Sequence, residues 1–282
     1  MSQAFTIARL TLVEASRRRL LLAMALLTLA VIVLTGWGFS FLPKQQGVTA
    51  AEVRSAAYIL TVLVAFMFSG VLALGSTLVA SPSIAGEIES GIVLAIAPRP
   101  IRRSEILLGK WLGLAFLVVL YAIASGVLEL LVIKLGTGYT PPNPAGAIAF
   151  VGAEGIILMT LTLLLSTRMA PMTAGIIALV LFFVAWIGGI ALAIGQAFDN
   201  HTIINIGLAS RLLLPTDGLW HGAVYSLEPD FVLNGAQFAG RAASGNPFFS
   251  SAPQPFAYLA WAFAWVVGLL GLSTWSFARR DL

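Results

Sequence analysis

Six apolar runs, each of about twenty residues or more, divide this chain and leave it few ways to fold. A helix rises 1.5 Å per residue, so each run is long enough to cross a hydrocarbon layer about 30 Å thick. Hydrophobic residues make up 59% of the chain and charged residues only 10%, where a soluble domain carries about 25% charged residues. Lipid is therefore the expected solvent for most of the molecule.

The runs predict an all-α polytopic membrane protein with spans at 20–42, 57–80, 106–135, 147–167, 171–197 and 256–277. The first run is too long for the apolar part of a signal peptide, and Gly36-Trp37-Gly38 after it is not a cleavage site of small residues. The third is longer than a bilayer requires, which predicts tilt or projection. Residues 147–197 are too long for one span and break at Arg168-Met169-Ala170-Pro171, because proline lacks a donor and suits a helix start. Ahead of the first span, Phe5, Ala8, Leu12 and Ala15 share one helical face, imperfectly because Arg9 and Ser16 sit near it. The reading is a helix over 2–18 lying on the membrane surface. Residues 198–256 form a long polar stretch, expected to be a partly helical external segment, with Thr216 as a helix cap.

Basic residues set the orientation. With both termini, residues 81–105 and the Arg168 turn on one side, that side holds eleven of the sixteen Lys and Arg residues, against Lys44, Arg54, Lys134, Arg211 and Arg241 on the other. The positive-inside rule then places the N and C termini in the cytosol of a multi-pass inner (plasma) membrane protein. The sequence pI of about 9.8 reads as membrane topology and not as nucleic-acid binding, since the basic residues flank the apolar runs.

Little in the chain could do chemistry. Gly70, Gly75 and Ser76, and Gly86, Gly91 and Ile92, have P-loop-like spacing but lack the lysine. His201 and His221 are too few for a metal cage, the cysteine count is zero, and no G-x-S-x-G is present. The chain is expected to be neither an enzyme nor a holder of metal or cofactor.

The most informative polar interruption is 81–105. Ser81-Pro82 reads as a cap and first helical residue. Ile84, Ile88, Ile92 and Ala95 then share one face of a short amphipathic helix, with the acids Glu87 and Glu89 left exposed, and Pro98 and Pro100 end it. Ser104 is placed to cap the third span and Glu105 to complement its dipole. Gly86-Glu87-Ile88-Glu89-Ser90-Gly91, Pro98-Arg99-Pro100, Arg102-Arg103 and Leu108-Gly109-Lys110 together resemble the first cytosolic loop of ABC-2 type permeases, the membrane subunits of ATP-driven exporters. Leu214-Pro215-Thr216-Asp217-Gly218-Leu219-Trp220-His221 and the closing Phe277-Ala278-Arg279-Arg280-Asp281 are similar to later segments of that family.

The resemblance implies a coupling helix that rests on a separate cytosolic ATPase through Ile84, Glu87, Ile88, Glu89 and Gly91, with ATP and Mg held by that partner. It implies a second copy of this chain, or a related permease, to complete the exporter. It implies a translocation path along spans two and five, whose bulky residues are Phe66, Phe68, Phe182, Phe183 and Trp186; read from the residues alone, these fit a lipid-facing surface equally well. Glu129 and Glu154 lie inside spans, and two readings stay open for them: lining a polar path or holding a cationic part of the cargo, or pairing with Lys134 and other neighbours near an interface. Gly109 and Gly113, and Ala260, Ala264 and Gly268, form small-residue stripes suited to close helix packing. Two further functions fit the same fold: a membrane anchor or mechanical transmitter acting on an external partner through 198–256, and a six-span transporter driven by ions through Glu129 and Glu154.

Overall fold

A computed structural model describes residues 3–16, 19–40, 49–91, 102–239 and 245–280. Arg17, Arg18, Lys44, Ile92, Ala95, the Pro98-Arg99-Pro100 run, Arg241 and Asp281 lie outside the described residues. Among the described residues the helices are α1 (Gln3–Ser16), α2 (Arg19–Phe39), α3 (Ala50–Ala80), α4 (Ala85–Glu89), α5 (Arg103–Thr137), α6 (Pro144–Ser166), α7 (Pro171–Ala197), α8 (His201–Leu213), α9 (Thr216–Leu227), α10 (Asp230–Ala239) and α11 (Phe256–Ala278). Six are long and apolar enough to cross a membrane: α2, α3, α5, α6, α7 and α11.

Local chemistry sets several helix ends. Thr49 and Glu52 form a capping box that starts α3: the Glu52 N–H donates to Thr49 Oγ1 (3.3 Å) and the Thr49 N–H to Glu52 Oε2 (2.7 Å). The helix thus begins seven residues before the apolar run of the second span. Asn143 accepts from the Gly146 N–H (2.9 Å) ahead of Pro144 at the start of α6. Gly138, at φ 70°, ends α5 in the left-handed conformation that only glycine adopts without strain.

α6 is the axis of the bundle. It packs against α3, α5, α7, α9 and α11, and Ile157, Leu158, Met159 and Leu163 on it are fully buried. α2 and α11 sit at the edge, with Leu22, Leu26, Val33, Trp37, Phe263, Val267 and Trp275 exposed. Exposed apolar faces on a helix of this length are what a lipid solvent stabilises.

α1 lies across the start of α5. A Cβ at Gly109 would come within 2.6 Å of the Ala4 carbonyl oxygen, and one at Gly113 within 2.7 Å of that of Ala8. The G-x-x-x-G stripe of the third span is therefore a seat for α1. The Gly268 stripe of α11 has nothing within 4 Å of a Cβ built at Gly268.

Around the same end, arginines bind the carbonyls that close two spans. Arg103 Nη1 donates to the carbonyls of Phe277, Ala278 and Arg280 (3.3, 3.1 and 2.7 Å), and Arg280 Nη1 donates to that of Thr167 (2.5 Å). Arg168 donates through Nε to Ser276 Oγ (2.9 Å) and through Nη2 to the Ser276 carbonyl (3.1 Å). These groups satisfy carbonyls that helix termini leave unpaired, and they place cations at the negative ends of the helix dipoles.

Candidate functional site

At the end of the bundle that holds α1 and the last residues of α11, α3 runs through a tight turn into α4. Ser81 is the C-cap of α3 and not the N-cap of α4, because its N–H still donates to the Thr77 carbonyl. Pro82 lies in the turn, its carbonyl accepting from the Gly86 N–H (3.1 Å). α4 spans only Ala85–Glu89, and its N-cap Ile84 makes no side-chain cap bond.

The five coupling-loop residues split in role. Ile84 is fully buried with Leu107 and Val79, and Ile88 packs on the same cluster. Glu87 is turned inward, contrary to the expected exposure of both acids. Its carboxylate sits 2.5 Å from Lys110 Nζ, which also donates to the Ser83 carbonyl (2.6 Å). Lys110 is 4% exposed, and a buried ammonium requires such partners. Glu89 and Ser90 are exposed at the tip, and Gly91 takes φ 73° as the chain leaves it. The Gly-Lys pair of the loop motif is thus explained: glycine seats α1 and lysine clasps α4.

Ser104 falls within the first turn of α5 and does not cap it. Glu105 reaches back to the Arg102 N–H (3.2 Å).

The five aromatic candidates also separate. Phe66 meets Trp186 on α7, Trp220 on α9 and Phe248, with ring centroids 5.4, 5.4 and 5.3 Å away. Phe68 and Phe182 are buried in the chain's own core. Phe183 is exposed, beside Val180 and Ile187 on the same helix.

The two intramembrane acids differ. Ser69 Oγ donates to Glu154 Oε2 (2.7 Å), which joins α3 to α6. Glu129 is equally buried, but neither carboxyl oxygen has a hydrogen-bond partner. The pairing with Lys134 is not made, since Lys134 is exposed and Glu129 has no partner. An ionisable residue at the centre of a span carries a cost of about 2.5–3.5 kcal/mol on insertion scales.

The opposite end holds buried polar chemistry around Asp217 and Glu228, and the sequence did not show that burial. Asp217, nearly fully buried, accepts from Arg211 Nε (2.8 Å) and Nη2 (2.7 Å), and its backbone carbonyl lies 3.0 Å from His221 Nδ1. Its carboxylate rests on Gly189, where a Cβ would collide at 1.8 Å. Thr216, expected as the cap of α9, is its first residue; its buried hydroxyl has no partner. Trp261 and Trp265 of α11 donate to the Leu212 and Leu213 carbonyls (3.1 and 3.0 Å), tying the end of α8 to the last span.

Nearby, Glu228 accepts from Tyr58 Oη (3.2 Å) and from the Ser250 N–H (2.9 Å). Burial pushes its carboxyl up to about 7, and those two hydrogen bonds only partly oppose the shift. Within 198–256, α9 and the Ser250 stretch therefore form a packed cap on this end of the bundle. An acid preceding Pro229 at the end of α9 carries no sequence signal of burial.

Six membrane-length helices, an N-terminal helix seated on one of them and a short polar helix clasped between spans define a multi-pass membrane protein of permease type. The chain belongs to the ABC-2 transporter family: the family model described as ABC-2 family transporter protein matches residues 7–282. It is 30% identical over 292 aligned positions, covering 100% of both chains, to the "Probable ABC transporter permease protein NosY" of Pseudomonas aeruginosa. It is 33% identical over 115 residues, 40% of this chain and 39% of the relative, to the protein of the same description from Stutzerimonas stutzeri. Permeases of this family are membrane subunits without catalytic function. Among the described residues no group of three His, Cys, Asp or Glu is placed to hold a metal ion.

Proposed function

We propose that this chain is half of the membrane path of an ATP-driven exporter, with both termini in the cytosol, coupled to a separate ATPase subunit through the tip of α4. The observation that carries the reading is the Lys110 clasp. It joins the exposed Glu89-Ser90 tip, through Glu87 and Ser83, to the start of α5. α1 sits on the next turn of the same helix. A push on the tip is then delivered to α3, α5 and α1 together as a rigid-body movement. A second copy or a related permease would face the exposed Val180–Phe183–Ile187 side of α7, and the path would run between the copies.

A second reading has one observation in its favour. The packed cap at the far end is suited to pass movement to an external partner without cargo crossing. Reconstitution with the co-purified ATPase separates the two. ATP-dependent loss of a vesicle-loaded solute supports export. ATP hydrolysis that depends on an external partner, with no flux of any solute tried, supports mechanical transmission. Purification without any ATPase, from cells that express its candidate partners, overturns both.

A further inference from the structure

A groove of about 440 Å³ lies between α6 and α11, with Leu219 of α9 and Trp111 of α5 also lining it. Short side chains on its facing walls, among them Ala149 and Ala153 on α6 and Ala262 on α11, leave the space. Among the described residues Trp111 is the one polar side chain of the lining, and its indole N–H already donates to Thr160 Oγ1 (2.9 Å). A bound water needs two to four polar partners, so water does not suit this space. Left empty, the walls would lose their dispersion contacts. The occupant is therefore apolar.

The groove's position says which apolar molecule. Apart from Leu219, its lining belongs to membrane-length helices. Its rim carries Phe263, exposed on the face of α11 that lipid covers, so groove and lipid-facing surface are continuous. From Gly146 to Ile157 along the groove, α6 rises roughly 16 Å at 1.5 Å per residue. One layer of lipid tails occupies about 15 Å, half of a hydrocarbon core about 30 Å thick. Gly146 stands in the first turn of α6 and Trp111 lies roughly 12 Å along α5 from its start at Arg103. The groove thus runs from one membrane surface to the middle of the bilayer. None of its described lining comes from α7, the face assigned to a second copy.

We propose that this groove is a binding site for one acyl chain of a membrane phospholipid, taken from the leaflet on the α9 side, with the methyl end of the chain resting on Trp111. The held tail completes the packing between α6 and α11 that the short side chains leave unmade. The site does not depend on the export reading, since it is built within one chain.

The test uses the full chain reconstituted in phosphatidylcholine vesicles whose acyl chains carry bromine, a contact quencher of tryptophan, near the methyl end or near the carboxyl end. The Trp111 signal is the difference between wild type and Trp111→Phe. Methyl-end bromine should quench it more strongly than carboxyl-end bromine. Filling the groove with Ala149→Leu and Ala153→Leu keeps the surface apolar and should abolish that quench. Wild type alone separates a held tail from passing lipid. When the vesicles are dissolved in excess bromine-free detergent, quenching of the lipid-exposed Trp37 and Trp275 should be lost at once and that of Trp111 should persist. This second measurement decides if the filled variant does not fold. No quench of Trp111 by either lipid means that protein closes the groove, and overturns the proposal. So does a Trp111 quench lost together with the others on dissolution, or one unchanged in a folded Ala149→Leu/Ala153→Leu variant.

Discussion

Glu87→Gln should destabilise this protein more than Lys110→Met, even though glutamine is the closer mimic. Lys110 is 4% exposed, and its two described partners are the Glu87 carboxylate at 2.5 Å and the Ser83 carbonyl at 2.6 Å. Neutralising Glu87 leaves a buried ammonium with neutral acceptors only and no counter-charge. Removing one partner of a buried pair costs about 3–5 kcal/mol. Removing the lysine strands a carboxylate whose side chain is 18% exposed and keeps some hydration, so the loss should be smaller, about 2–3 kcal/mol on the same scale. Methionine also keeps the aliphatic packing of the stem.

Replacing both residues by methionine removes the charges together and should return stability to within about 1 kcal/mol of wild type, because apolar replacement of a buried pair is often neutral. The seven tryptophans allow melting to be followed by intrinsic fluorescence in one fixed detergent. At about 2–4 °C per kcal/mol for chains approaching this size, Glu87→Gln should lower Tm by roughly 6 °C or more. The reasoning is refuted if both single variants melt within about 2 °C of wild type, or if the two losses simply add in the double variant.

Other residues give independent outcomes. Glu228 has its carboxyl raised from 4.5 to about 7 in the folded state, so the folded protein binds more protons than the unfolded chain between those values. Its contribution to stability is present in full below about pH 4.5 and is lost as pH rises through about 7. Melting curves from pH 5 to pH 8 should show this fall in wild type, and Glu228→Gln should flatten it. Gly113→Leu should lift α1 from α5, because a Cβ there already meets the Ala8 carbonyl at 2.7 Å. Limited proteolysis should then cut within residues 3–16 while the spans stay intact. Asp217→Asn should strand the Arg211 guanidinium and loosen the cap by about 2–3 kcal/mol, read as faster hydrogen exchange in α8 and α9.

The six long helices were legible because lipid demands long apolar runs, and those runs outlast any local ambiguity. Helix starts were less legible. The second span was read from its apolar onset at Ala57, although Thr49-Ala50-Ala51-Glu52 spells the capping box that starts α3. The Gly109 and Gly113 seam was visible as a stripe, but its partner, α1, was not, since stripes carry no address. Glu87 was read as exposed because a five-residue helix shows too few turns to reveal which side meets Lys110. Asp217 and Glu228 were missed as buried acids for the same physical reason. Asp217 is buried where α9 packs on Gly189 of α7, and Glu228 where Tyr58 and Ser250 close over it, and neither contact is local in sequence.

The claim that organises all of this is contact between the α4 tip and a separate ATPase. The native chain lacks cysteine, so a single thiol introduced as Glu89→Cys can be cross-linked in native membranes with a short bifunctional maleimide or a photoactivatable maleimide. The account predicts a covalent adduct with a P-loop ATPase, changed in yield by ATP, and no such adduct from a control thiol at Ser251→Cys in the far cap. An adduct from the control position, or none with an ATPase from Glu89→Cys while the chain is folded and labelled, contradicts it.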